Sequence, residues 1–132
     1  MGDFKKLEVW LLAHEVACDV YRKTASFPKS EVYGLTAQLR RSASSVPANI
    51  AEGCGRRGDV EFSRFVRISL GSATELEYHL LLSRDIGLLE RSVQEELSER
   101  VIRIQGMLAG LNRVLLRRRA RLHSPQPSAH SP

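Results

Sequence analysis

Apolar residues recur at steps of three and four along four stretches of the chain, and no stretch alternates convincingly in the manner of a strand. The first runs from about Leu7 to Thr24, behind a candidate N-cap at Asp3. Leu7, Trp10, Leu11, His14, Cys18 and Tyr21 share one helical face, and Val9, Ala13, Val16 and Val20 form a second stripe beside it. A helix apolar over two adjacent stripes usually contacts two neighbours, either inside a bundle or across a subunit interface. Phe27-Pro28 closes the segment, because the residue before proline resists the helical region.

The second stretch, from about Val32 to Glu52, carries Leu35, Leu39, Ala43, Val46 and Ile50, with small residues crowded at its middle. Pro47 removes one backbone donor there and is expected to bend the helix without ending it. Gly53-Cys54-Gly55 then stops the helix, and Arg56-Arg57-Gly58 makes an exposed turn. Asp59 is a candidate N-cap for the third helix, and Gly87 suits a left-handed stop at its end. Phe62, Phe65, Val66, Ser69, Ala73, Leu76 and Leu80 mark the buried face. Ser92-Val93-Gln94-Glu95 reads as a capping box for the fourth helix. Along it Leu97, Val101, Ile104, Leu108, Leu111 and Leu115 step by four and three, a heptad seam. The fold class is therefore all-α: an antiparallel up-down-up-down four-helix bundle with a proline-bent second helix, over residues 1–116. Residues 117–132, Arg-rich and then Ser/Pro-rich, are expected to form a flexible tail, disordered beyond Leu122.

Charge adds a functional hint to this architecture. Twenty Lys and Arg against fifteen Asp and Glu leave +5, and sixteen of the twenty bases are Arg. The surplus is uneven. Residues 1–58 hold nine bases and six acids, residues 59–99 four and nine, and residues 100–132 seven Arg and no acid. A chain split into +3, −5 and +7 can serve a nucleic-acid partner, a protein partner, or self-association through complementary faces.

Catalysis has no visible carrier. No Glu-x-x-His pair is present for a di-iron site, and two cysteines are too few for structural zinc, so no metal or cofactor is expected. His14 follows an apolar stripe and reads as a packed histidine; His79, four residues after Glu75, reads as half of a surface pair. Cys54 between its glycines is a candidate accessible thiol, and that glycine run lacks the Lys and Ser/Thr of a phosphate-cradling loop. No apolar run has the length of a signal peptide core or a membrane span, so a reducing, cytoplasmic setting is expected.

Arginines are the remaining candidates, since guanidinium forks suit phosphates. They are Arg40 and Arg41 on the second helix, Arg56 and Arg57 in the turn, Arg64 and Arg67 near the start of the third helix, and Arg117, Arg118, Arg119 and Arg121 near the end. Arg40 and Arg41 point about 100° apart on a helix, so a structural tie for one of them is as reasonable as a shared phosphate.

Four motifs go further. Asp3-Phe4-Lys5-Lys6-Leu7-Glu8-Val9-Trp10, Tyr33-Gly34-Leu35-Thr36-Ala37-Gln38-Leu39-Arg40-Arg41, Val46-Pro47-Ala48-Asn49-Ile50-Ala51-Glu52-Gly53 and Gly71-Ser72-Ala73-Thr74-Glu75-Leu76-Glu77 occur in this order. The chain so resembles the bacterial four-helix bundle protein family over about residues 3–112. That family includes proteins encoded in intervening sequences of large-subunit ribosomal RNA genes and the accessory variability protein of diversity-generating retroelements. The resemblance implies a homopentameric, barrel-like assembly without known catalytic activity. In the retroelement branch it implies binding of a reverse transcriptase and of nucleic acid through basic surface, at positions matching Arg40, Arg41, Arg56 and Arg57.

Within the motif, Pro47, Asn49, Glu52 and Gly53 read as architectural. Pro47 leaves the carbonyl of Ala43 without its donor, with Asn49 or a nearby serine as the replacement. Glu52, badly placed against the helix dipole, calls for an Arg of the same motif. The expectation is a non-enzymatic homo-oligomer binding RNA or a nucleic-acid–protein complex, with a protein-interaction scaffold as the alternative.

Overall fold

The structure is a computed structural model and describes residues 2–123. Four helices carry it: α1 (Glu8–Thr24), α2 (Leu35–Cys54), α3 (Gly58–Asp85) and α4 (Arg91–His123), with short 3-10 turns at Phe4–Lys6 and Lys29–Glu31. Helix α2 packs most extensively on α3, α3 on α4, then α1 on α2, and α1 on α4 least; the diagonal pairs do not approach. The cross-section is thus a square with α1/α2 on one side and α3/α4 on the opposite one. This is the all-α four-helix bundle that the periodicity predicts.

The heptad seam of α4 is the deepest part of the core. Leu97, Val101, Ile104, Leu108 and Leu115 are each at most 2% exposed. They meet Leu39, Val46 and Ile50 of α2, Val66, Leu76 and Leu80 of α3, and the Val/Ala stripe of α1 in one continuous cluster. Burying each such Leu or Ile side chain contributes roughly 1.5–3 kcal/mol, enough for the bundle to stand without metal or disulfide staples.

Of α1's two apolar stripes, only Val9, Ala13, Val16 and Val20 enter the core. His14 is exposed rather than packed, stacked on Trp10 at 5.0 Å with its ring nitrogen 3.6 Å from the Cys18 thiol. Cys54, conversely, is 1% exposed, because α2 runs on to Cys54 and carries the thiol into the core. His79 is mostly covered too, 4.0 Å from Glu75.

Helix ends differ from the cap reading. Asp3 caps the Phe4–Lys6 turn by accepting from the Lys5 amide, and α1 begins later, behind Leu7. Helix α2 opens at Leu35, whose amide donates to the Glu31 carboxylate. Gly58, at φ +81°, makes the turn into α3, so Asp59 lies inside the first helical turn instead of capping it. Likewise α4 opens at Arg91, one residue before Ser92. Gly87 takes the expected left-handed conformation, φ +82°.

Helix α2 runs unbroken through Pro47. The Asn49 amide does not go to Ala43: it donates to the carbonyl of Ser45 at 2.8 Å and to its hydroxyl at 2.9 Å. Ser45 meets Ser72 of α3, hydroxyl to hydroxyl at 2.7 Å, and buried Ser69 donates to the carbonyl of Val46. Small hydroxyls at this crossing let α2 and α3 approach closely while their polar atoms stay satisfied. The same need explains Gly53, where a Cβ would stand 2.7 Å from the Cβ of Phe65.

Candidate nucleic-acid interface

Up-down-up-down topology sorts the charge. The start of α1, the end of α2, the start of α3 and the end of α4 share one end of the bundle. Residues 1–8, 52–64 and 113–121 bring ten bases and five acids to that end. Residues 19–31 and 77–100, at the other end, hold six bases and eight acids. The −5 stretch is therefore not spread over a uniform surface; it dilutes one end and leaves the other basic.

The candidate arginines divide in the same way. Arg40 is half-buried and tied to the end of α1, donating to the Thr24 hydroxyl at 2.9 Å and the Tyr21 carbonyl at 3.2 Å, with its guanidinium 4.8 Å from the Tyr21 ring centre. It answers one of the carbonyls a helix end leaves open. Arg41 turns to α3 and pairs with Glu75, also donating to Gln38. So the two motif arginines point to two different helices, and neither pairs with Glu52. Arg56 does that, one helical turn on, while lying 5.2 Å from the Phe65 ring. Arg64 pairs with Glu61 and covers the same ring at 4.6 Å.

Arg57, Arg67, Arg117, Arg119 and Arg121 are exposed and make no ion pair among the described residues. Four of these five stand at the basic end, and Arg113, which the sequence reading passes over, joins them there, exposed. Helix α4 continues beyond residue 116 to His123, so the Arg117–Arg121 run is held on helical turns. The expected disordered end at residues 124–132 lies outside the described residues. Two ties moor the end of α4 to the start of α3: Arg118 to Asp59 at 2.9 Å, and the Ser63 hydroxyl to Asn112 at 2.5 Å. Asp59 therefore joins the Arg56-Arg57 turn to the C-terminal arginines, 60 residues away in sequence.

The side of the square between α1 and α2 carries an open groove of about 650 Å³ that runs from Phe4 and Ala51 near the basic end to Tyr21 and Arg22. Its wall on α1 is the stripe that does not enter the core, Trp10, His14, Cys18 and Tyr21, with Phe4 packed edge-on against Trp10. Its floor on α2 is small: Ser44, Pro47, Ala48 and Ala51. Sequence reasoning places a thiol of interest at Cys54; the structure leaves Cys18 the part-exposed one instead, and the signal was Cys18's position on the Trp10 stripe.

A square four-helix bundle with one basic end, and among its described residues no cluster of metal-ligating side chains, is the class that fold and site define. The chain belongs to the 23S rRNA-intervening sequence protein family, whose model matches residues 5–110. A crystal structure of a protein of unknown function from the S23 ribosomal protein family of Bacteroides thetaiotaomicron has the same fold. It is 23% identical with a TM-score of 0.72, over 79% of this chain and 97% of that one. Comparison with curated proteins gives no match. No helix among the described residues is long and apolar enough to cross a membrane.

Proposed function

We propose that the protein is a non-enzymatic binding module that grips the phosphates of RNA with its basic end, working in the cytoplasm as a homo-oligomer. On the pattern of the family resemblance the oligomer is a pentamer. The observation that carries the reading is the division of the arginines: Arg40 and Arg41 are engaged by neighbouring helices, while Arg57, Arg117, Arg119 and Arg121 converge on one end with no acid answering them among the described residues. Guanidinium groups left exposed on helical turns are placed for an anion, and several on one rim give affinity that depends on salt and little on sequence. The RNA is bound alone or in complex with a protein such as a reverse transcriptase.

The aromatic side chains set among the arginines of the basic end, Phe62 and Phe65, do not offer stacking platforms. Phe62 and Phe65 are buried, and Arg56 and Arg64 cover Phe65. Recognition of unstacked bases needs such platforms, so the contacts are to the backbone.

A salt titration of RNA binding tests this. The logarithm of affinity should fall linearly with the logarithm of salt, by about 0.7 for each phosphate neutralised on a single strand. Replacing Arg57, Arg117, Arg119 and Arg121 together by Ala should flatten that slope by up to roughly 3 and leave the melting temperature unchanged. An unaltered slope would sink the assignment to this end, and absence of binding at low salt would sink RNA as the ligand.

A further inference from the structure

At 33 residues α4 is the longest of the four helices. Its last turns, from Arg113 to His123, lie beyond residue 110, the last that the family model matches. They are nevertheless anchored to the bundle. Leu115 is 0% exposed on their inner face, Arg118 pairs with Asp59, and Asn112 accepts from Ser63 just before them.

On anchored turns the arginines keep fixed places. Arg113 and Arg117 lie two residues to either side of Leu115, each about 160° from it around the helix axis, and Arg121 follows at the next step of four. All three are exposed. A step of four residues is a rise of about 6 Å with a drift of about 40°, close to the spacing of successive phosphates along one RNA strand. We propose that this row is a ladder for base-paired RNA, in which Arg113, Arg117 and Arg121 take successive phosphates along one strand of an A-form duplex. The proposal rests on the RNA-binding reading above and names the form of the RNA.

Charge on the neighbouring elements leaves the row unopposed. The segments that share this end bring five acids, and each is already engaged: Asp3 by the Lys5 amide, Glu8 by Arg103, Glu52 by Arg56, Asp59 by Arg118 and Glu61 by Arg64. Among the described residues no acid pairs with Arg113, Arg117 or Arg121. Arg118, spent on Asp59, and Arg119, about 40° from Leu115 around the axis, stand off the line of the row.

Two properties choose a duplex over a single strand. A row fixed on a packed helix cannot rearrange to follow a flexible chain, so all three contacts go to a ligand whose phosphates are already held at a regular spacing. A single strand must first be ordered. Proteins that accept that cost recover it by stacking bases on aromatic side chains, and α4 carries no aromatic residue from Arg113 to Arg121. A-form duplexes are recognised instead through their shape and backbone.

Fluorescence anisotropy with a short blunt RNA duplex, and with polyuridine of equal length, tests this on the full chain. The wild-type protein should bind the duplex about tenfold more tightly, the cost of ordering one or two flexible groups. Arg113→Ala, Arg117→Ala and Arg121→Ala together should flatten the salt slope on the duplex by roughly 2–3. A sharper variant exchanges two neighbours, Leu116→Arg with Arg117→Leu. Net charge is kept, but the middle rung moves about 100° around the helix. Both positions are exposed, and circular dichroism checks that helicity persists. Duplex affinity should fall severalfold while polyuridine binding is unchanged. Three results would each overturn the ladder and leave general RNA binding at this end standing: a duplex affinity unmoved by the exchange, a parallel loss on polyuridine, or a wild-type protein that binds the duplex no more tightly than polyuridine. Absence of binding to either RNA at low salt would remove both readings.

Discussion

Two pairs of adjacent arginines in this molecule have opposite fates. Arg40 and Arg41 sit in mid-helix, about 100° apart, and each finds a different neighbour: the open carbonyl end of α1 for one, Glu75 of α3 for the other. Arg56 and Arg57 sit where α2 ends and α3 begins. There Arg56 still reaches back one turn to Glu52, but Arg57 has no helix beside it to answer it. The difference is one of position in the bundle rather than of chemistry. An arginine that faces a neighbouring helix becomes a strut, and an arginine with no helix opposite it remains available. That rule also explains why Arg118, moored to Asp59, differs from Arg117 and Arg119 beside it.

The sharpest way to break the comparison is at Gly53, where the α2/α3 seam comes closest to the basic turn. Gly53→Ala would place a Cβ 2.7 Å from the Cβ of Phe65, an atom near the backbone that cannot swing away. Overpacking of this kind costs about 1–3 kcal/mol, against roughly 1 kcal/mol gained from better helix propensity, so a net loss is expected in urea denaturation. RNA affinity of the folded fraction should stay as it was. A parallel loss of affinity would mean that the basic end is not independent of the seam.

Next in size is Arg40→Ala. It removes hydrogen bonds to Thr24 and to the Tyr21 carbonyl from a half-buried charge, worth about 1–2 kcal/mol of stability. Arg41→Ala should cost less, about 0.5 kcal/mol, because its pair with Glu75 is largely open to solvent. If both substitutions instead left stability intact and weakened RNA binding, the motif arginines would belong with the ligand and the division between struts and available groups would collapse.

The bundle itself was legible in the sequence because heptad and i, i+3/i+4 spacing report burial directly, as the α4 seam shows from Leu97 to Leu115. What the pattern could not choose was which of α1's two apolar stripes faces inward. They lie side by side, both apolar, and only the packing of α2 and α4 on the Val/Ala stripe decides it. His14 and Cys18 were misjudged or passed over for that reason. The caps at Asp59 and Ser92 failed for another, and Asp3 caps a 3-10 turn ahead of α1 instead of α1 itself: an N-cap depends on where the chain leaves the preceding turn, and here a 3-10 turn, a left-handed Gly58 and an early start at Arg91 each shifted it. The basic end was half legible. The sequence marks Arg57 and the Arg117–Arg121 run, but only the topology brings them to one place.

The smallest effect, and the one that reads the strut role of Arg41 most directly, is on pH. Burial holds the His79 imidazole below its ordinary value of 6.5; Glu75 at 4.0 Å opposes this and Arg41 assists it. Its Nδ1 is buried without a hydrogen-bond partner among the described residues, and the Tyr78 ring lies 5.8 Å away. Because the folded state binds this proton less readily than the unfolded chain, the contribution of neutral His79 is complete above about 6.5 and is lost as pH falls through the lower folded value. The melting temperature should therefore drop on acidification from pH 7 to pH 5, and His79→Gln should remove that part of the drop. In Arg41→Ala, Glu75 loses its competing partner and turns to the imidazole alone, so the histidine should titrate higher and the acid loss should shrink. An NMR titration of the His79 ring in the two proteins measures this. Equal midpoints would show that Arg41 does not govern Glu75, and that its pairing across the α2/α3 seam is not the strut the comparison makes it.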